Sequence, residues 1–368
     1  MKKSIFYLPA ILATASLAII SCSSSPEDSA ESSAESASAN ADQSTSSGDA
    51  RTVNTVLGEV TVPADIDSVV VLEGRRDLDI VLSLGLPLTG MPYEEAGSLD
   101  LESPLADELA EAKESGAEEL FLADEINVES IAAAKPDLII SRVDDVEPIQ
   151  DKLEAIAPVL AIGDQSTSTW QEDLQLVAEA TGTEERAAEL IDDYESQVAE
   201  LSEEYADVLA ENSFVPLSYN EEQIETRPNR LLSTILRDLG AKSSDAFQAA
   251  IDGEEVAYSP EQTLEGFEDA DGIIALVNDP QVWEDVQNDA LFNKLPAVQN
   301  GHIVRSDKQT PEGGPLTATH SLKVIEELLK TFYSGATAKL ARSLRCEPHR
   351  VDGWHGLAID PRSQAIPG

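Results

Sequence analysis

Only two cysteines occur in 368 residues, Cys22 near the start and Cys346 near the end. No disulfide framework can be built from such a pair, least of all if Cys22 is chemically modified, so stability has to come from a packed core. Basic residues are also scarce, 24 against 70 acidic ones, giving a formal charge of -46. That balance excludes non-specific nucleic-acid binding and argues against lying flat on anionic lipid. The four histidines, His302, His320, His349 and His355, do not cluster in sequence, whereas a zinc or manganese receptor needs several together with carboxylates. No directly coordinated metal and no cofactor is expected. Aromatic residues make up only 5% of the chain, and no His, Tyr or Met is plainly offered as an axial haem ligand. The chain has no Gly-x-Ser-x-Gly elbow, phosphate-binding glycine loop, Cys-x-x-Cys pair or His-Glu-x-x-His helix, so the usual catalytic constellations are missing. The expectation is a protein that is not an enzyme.

What is present begins at the amino terminus. Lys2 and Lys3 precede an apolar run from Ile5 to Ile20 that is too short for a permanent transmembrane helix. It ends in Ile19-Ile20-Ser21-Cys22; an aliphatic pair, a small residue and cysteine is the pattern that bacterial lipoprotein processing reads. Residues 1–21 are predicted to be removed as a signal peptide and Cys22 to be acylated, which places the protein outside the cytoplasm, anchored to the cell membrane. An ordinary signal peptide with an incidental Cys22 is the plainer alternative. Residues 22–52 are Ser, Ala, Glu and Asp with almost nothing large and apolar, and they cannot bury enough surface to offset chain entropy. They read as a disordered acidic tether.

From Val53 onward strands and helices alternate, and the two halves echo each other. Val69-Val70-Val71-Leu72 predicts a strand leading to a helix that ends Leu84-Gly85; Phe214-Val215-Pro216-Leu217 predicts a strand leading to a helix that ends Leu239-Gly240. Both glycines stand where a helix C-cap requires positive φ. Asn127 can cap a short helix stopped by Pro136, before the strand Leu138-Ile139-Ile140. In the second half, Ser259-Pro260 and Gln262 form a capping-box pattern before the strand Gly272-Ile273-Ile274. A third pair runs from Leu153 to Pro158-Val159-Leu160 and from Leu295 to Ile303-Val304. Apolar strands flanked by helices indicate parallel sheets covered on both faces. The predicted fold is α/β, with two similar parallel-sheet lobes, residues 53–168 and 212–335, joined by one long interdomain helix within residues 169–211. Residues 336–368 reverse the acidic bias of the chain and are expected to be an atypical, disordered tail carrying a free Cys346.

This order of segments resembles the class III periplasmic binding proteins, the ferric-siderophore, haem and cobalamin receptors of ABC importers. The resemblance is carried by Ser68–Leu72 through Gly85, by Ile126–Ile131 with Lys135–Ile140, by Leu153–Val159 and by Gly313-Gly314-Pro315-Leu316-Thr317-Ala318. It implies ligand capture between two lobes that rock only slightly, and delivery to a membrane permease with its ATPase. It also implies that Glu129 and Glu261, at equivalent places in the two repeats, dock on that permease, although helix-dipole stabilisation alone would account for both carboxylates.

Ligands of parallel α/β lobes bind beyond the carboxyl ends of the strands. Arg75, Arg76, Arg142, Arg227, Arg230 and Lys308 fall in such loops and are the predicted ligand contacts, because guanidinium matches the oxygen-rich surface of a ferric siderophore. Each has surface ion pairing as its plain alternative. Tyr93, Trp170, Tyr219 and Trp283 are the aromatic candidates. The expected function is a monomeric, lipid-anchored siderophore receptor. A cobalamin or haem receptor, or a protein-docking lipoprotein, are the alternatives.

Overall fold

The computed structural model describes residues 50–94, 103–164, 166–219, 223–306 and 310–343. The signal peptide, Cys22, nearly all of the tether, Lys308 and Cys346 lie outside the described residues. The first strand among the described residues begins at Arg51, two residues earlier than the sequence predicts. Strand β1 (Arg51–Thr55) and strand β2 (Gly58–Val62) form an antiparallel hairpin, and Gly58 takes φ 123° at its turn, a value favoured only by glycine. The Arg51 guanidinium ties this hairpin to the Glu184 carboxylate.

In the first lobe β3 (Val69–Val71), β4 (Leu88–Tyr93), β5 (Glu118–Leu122), β6 (Leu138–Arg142) and β7 (Val159–Ile162) form an all-parallel sheet in the order β5-β4-β3-β6-β7. The unbroken apolar run of β3 has no solvent face. Val69 and Val71 join one buried cluster while Val70 and Leu72 join a second, as alternation across a sheet covered on both sides requires.

The second lobe contains β8 (Ser213–Tyr219), β9 (Ile224–Thr226), β10 (Lys242–Ser243), β11 (Val256–Tyr258), β12 (Gly272–Leu276) and β13 (Ile303–Ser306). Strands β8, β12 and β13 run parallel and repeat the β3-β6-β7 arrangement, and β10 pairs parallel with β8. Here the sheet departs from the first. After Tyr219, β9 pairs antiparallel with the end of β8, and β11 pairs antiparallel with β9. A short connection permits only an antiparallel neighbour, since a parallel one needs a crossover.

The capping signals act as written. Asn127 Oδ1 accepts from Ser130 N at 3.0 Å ahead of the helix Val128–Ala134, Ser259 and Gln262 form a capping box, and Gly85 and Gly240 take φ 69° and 70°. The connector divides into helices Trp170–Thr181, Glu184–Glu204 and Ala206–Glu211. Its 21-residue central helix spans about 30 Å and bonds to both lobes. Arg186 Nε donates to Ser83 O at 3.3 Å in the first lobe; Tyr194 Oη donates to Asp238 Oδ2 at 2.7 Å in the second.

A second bridge joins the lobes. The last helix, Pro315–Ser343, packs on the second lobe, yet its first turn is capped by Asp79 of the first. Its backbone continues eight residues past the expected end of the lobe at 335, because Ala336–Ser343 contains neither proline nor a helix-stopping turn. One buried cluster runs through both lobes, from Val69 and Leu78 through Tyr194 to Phe214, Leu236 and Ile325. The described residues accordingly form a single unit, and none of their helices is long and apolar enough to cross a membrane.

Candidate ligand cleft

The first wall of the cleft is the loop after β3, and it is built around Asp77. This fully buried carboxylate receives Leu72 N at 3.0 Å, Glu73 N at 2.8 Å, Gly74 N at 2.9 Å and Arg75 N at 3.2 Å, with Leu78 N and the Ser141 hydroxyl completing the set. Gly74, at φ 82°, gives the turn its left-handed residue. The effect is to hold Glu73 and Arg75 at the mouth of the sheet.

A cavity of about 690 Å³ lies there, among the loops that follow β3, β4, β5 and β6, with Glu312 from the loop before the last helix. At its centre stands Arg142. Its Nη1 donates to Glu73 at 2.8 Å and to Glu312, and its Nη2 donates to Asp144 at 2.9 Å. Glu312 also reaches Arg230 of the second lobe at 3.3 Å. An Arg142–Glu312–Arg230 chain of ion pairs therefore spans the two lobes. Burial opposes the charge on Arg142, but the Glu73 and Glu312 carboxylates outweigh it and hold its pKa above the ordinary arginine value. Burial, with Asp77 and Glu312 nearby, pushes Glu73 well up. Arg230 is shifted down, mainly by burial, although Glu312 opposes the shift.

A second cavity of about 530 Å³ opens at the side of the interlobe junction, between Arg76 and Ser166–Trp170 of one part and Asn229, Thr234 and Arg237 of the other. Glu312 borders both cavities. The 690 Å³ cavity is the better candidate, because the carboxyl ends of parallel strands converge on it.

Asp145, on the floor of that cleft, is raised by burial and by Asp77 to about 6. The folded state then holds a proton that the unfolded chain releases near the ordinary value of 3.8. Its contribution to stability is complete below that value and is lost as pH rises through about 6. Glu73 acts in the same direction. The protein is expected to melt at a higher temperature at pH 5.5 than at pH 8, with Asp145→Asn flattening the dependence; equal slopes in variant and parent would assign the effect to general charge repulsion.

The predicted contacts divide. Arg75 and Arg142 line the 690 Å³ cavity, Arg230 reaches it through Glu312 and Arg227 lies beside Arg230 outside that lining, but each is already matched by a carboxylate: Arg75 by Glu94 at 3.6 Å, Arg227 by Glu225 at 2.9 Å, and the other two as above. In place of the expected basic pocket, each of these guanidiniums is paired with a carboxylate. Arg76 turns inward instead, donating to Asp173 at 2.6 Å with both side chains buried. Trp170 is 4% exposed and packs edge-on against Tyr194 at 5.1 Å. Trp283 packs against Phe292 and beneath the Arg305 guanidinium; these contacts make it part of the second lobe's packing and not of the 690 Å³ cavity's lining. Tyr219 ends β8 and packs edge-on against Phe292 at 5.9 Å; burial raises its hydroxyl pKa. Tyr93 is 39% exposed at the end of β4. Glu129 and Glu261 are both exposed.

Sequence reasoning missed Asp77, Asp79, Glu73 and Glu312. Only Glu312 had a signal, standing directly before the Gly313-Gly314-Pro315 segment.

The sequence profile of a family described as periplasmic binding protein matches residues 104–310, more than half of the chain. The chain belongs to the periplasmic binding protein family. Among curated relatives, the iron-uptake system-binding protein of Bacillus subtilis (strain 168) is 25% identical over 200 residues, covering 52% of this chain and 61% of that protein. The probable siderophore-binding lipoprotein YfiY of the same strain is 32% identical over 163 residues, covering 44% and 48%. The matched region thus spans only about half to three-fifths of those relatives' lengths. Among solved structures, the siderophore periplasmic binding protein from the fuscachelin gene cluster of Thermobifida fusca superposes with a TM-score of 0.58 at 30% identity, over 73% of this chain and 98% of that one.

Proposed function

We propose that this binding protein captures a ferric siderophore in the interlobe cleft and passes it to the permease of an ABC importer, held outside the cell membrane by a lipid on Cys22. It performs no chemistry. The observation that carries the reading is the Arg142–Glu312–Arg230 chain, in which guanidiniums from both lobes meet at the mouth of a cavity of about 690 Å³. Guanidinium groups are planar, bidentate donors to catecholate, hydroxamate or carboxylate oxygen. Glu312 holds them until a ligand oxygen takes its place. Membership of the family and the names of the relatives support both the cargo class and the extracytoplasmic location.

The connector and the Asp79-capped helix, which both bridge the lobes, favour a small closure over a wide hinge. A small closure is sufficient, since tenfold in affinity is about 1.4 kcal/mol of differential contact. Calorimetric titration with ferric siderophores, their iron-free forms, haem and cobalamin tests the reading. Submicromolar binding of one ferric class is expected; silence across the panel would redirect attention to a protein-docking role.

Glu129, in the first turn of Val128–Ala134, and Glu261, in the turn Pro260–Gln262, are exposed on the two lobes. Glu129→Gln with Glu261→Gln is expected to leave ligand affinity within twofold while lowering cellular uptake at least tenfold. Parallel loss of binding and uptake would make them pocket or stability residues.

A further inference from the structure

The charge pattern around the cleft narrows the ligand, provided the receptor reading above holds. Each of the five strands of the first sheet is followed within two residues by a carboxylate: Glu73 after β3, Glu94 after β4, Asp124 after β5, Asp144 after β6 and Asp164 after β7. Among the described residues, the lining of the 690 Å³ cavity holds seven carboxylates against two guanidiniums, Arg75 and Arg142. Both guanidiniums are engaged, Arg75 by Glu94 and Arg142 by Glu73, Asp144 and Glu312. The arginines across the cleft are engaged too, Arg227 by Glu225 and Arg230 by Glu312. Asp124 and Glu125, by contrast, are exposed and take part in no ion pair among the described residues.

Among the described residues the surplus at the mouth of the cavity is therefore negative, and it lies on a chain whose charge is already -46. A multiply anionic chelate would meet unfavourable potential there, with neither guanidinium of the described lining left unengaged to offset it. A bare divalent cation is not the answer, because no group of three His, Cys, Asp or Glu among the described residues is placed to hold one. We infer that the cargo is a ferric siderophore bearing cationic side groups, ammonium or guanidinium. Its oxygen-rich core competes with Glu312 for Arg142 and Arg230, and its cationic arms rest on Asp124 and Glu125.

Calorimetry on the full chain in detergent tests this with matched chelates. Ferric trihydroxamate, tris-catecholate and citrate-type complexes are each compared as the form carrying one free primary ammonium and as its N-acetylated derivative. Ferrioxamine B and N-acetyl ferrioxamine B form the trihydroxamate pair. Within the class that binds, the ammonium form is expected to bind about tenfold tighter. That margin should shrink on raising salt from 50 to about 500 mM and disappear in the Asp124→Asn, Glu125→Gln variant. Neutralising Glu185 and Asp192, exposed on the connector helix, should leave it intact. Equal affinity for both forms, or a margin lost equally in the connector variant, would overturn the inference while leaving the receptor reading in place. Failure of every ferric chelate to bind would remove both.

Discussion

Asp77→Ala is expected to lower stability by on the order of 3–5 kcal/mol and to abolish ligand capture. Six donors converge on this one carboxylate, five of them backbone N–H groups between Leu72 and Leu78 and the sixth the Ser141 hydroxyl. All are donors and none accepts, so the site is built for the ionised form, even though burial pushes the pKa up. Removing the side chain would strand several buried N–H groups, each costing roughly 1–3 kcal/mol if nothing replaces the acceptor. Asp77→Asn should fall between the two, because its amide nitrogen would face donors. Since a whole domain is stable by only about 5–15 kcal/mol, urea midpoints for the three proteins should separate clearly. Hydrogen exchange at residues 72–75 should accelerate ahead of the rest of the first sheet. Protection there equal to the parent's would show that other contacts fix the loop, and the cleft wall would need another explanation.

Asp79→Ala is expected to cost a similar amount, about 3–5 kcal/mol, but in a different place. Its carboxylate accepts from Gly314 N at 2.8 Å, Thr317 N at 3.0 Å, Leu316 N at 3.1 Å and the Thr317 hydroxyl at 2.6 Å, as well as from Ser83. An N-cap taken from a distant part of the chain does two jobs. It satisfies orphan donors of the last helix and complements the positive end of its dipole, and it fastens the first lobe to a helix of the second. The close approach also explains Gly314, where an added Cβ would come within 3.1 Å of the Asp79 carboxyl. The variant should show early exchange in the first turn of Pro315–Ser343 and a weaker, slower response to ligand, because the lobes would lose one of the bridges between them. Gly314→Ala should reproduce part of the effect with Asp79 intact. Unchanged exchange at residues 314–318 in Asp79→Ala would rule out the capping role.

Much of the architecture was legible in the residues themselves. Val69–Val71 and Ile273-Ile274 could only be buried strands, because an unbroken apolar run has no polar face to offer water. Gly85, Gly240, Asn127 and Ser259 marked helix ends by requirements of backbone geometry that act within a few residues. In the connector's central helix, Ala187, Ile191 and Tyr194 form the buried face. The second lobe's antiparallel strands were not legible in this way, since β9 is defined by its pairing with the end of β8 and its three residues carry no pattern of their own.

Local signals determined the strands, the caps and the doubling of the lobe, because propensity and periodicity operate over neighbouring residues. Only the tertiary structure decided which charges meet. Glu312 stands 170 residues from Arg142 and Thr317 stands 238 from Asp79. Coulomb attraction and hydrogen bonding depend on distance in space, which the chain's order does not encode. In a sequence with 70 carboxylates almost any could have been the partner. Folding selected four that composition alone treats as ordinary surface charge: Glu73, Asp77, Asp79 and Glu312, which build and bridge the cleft.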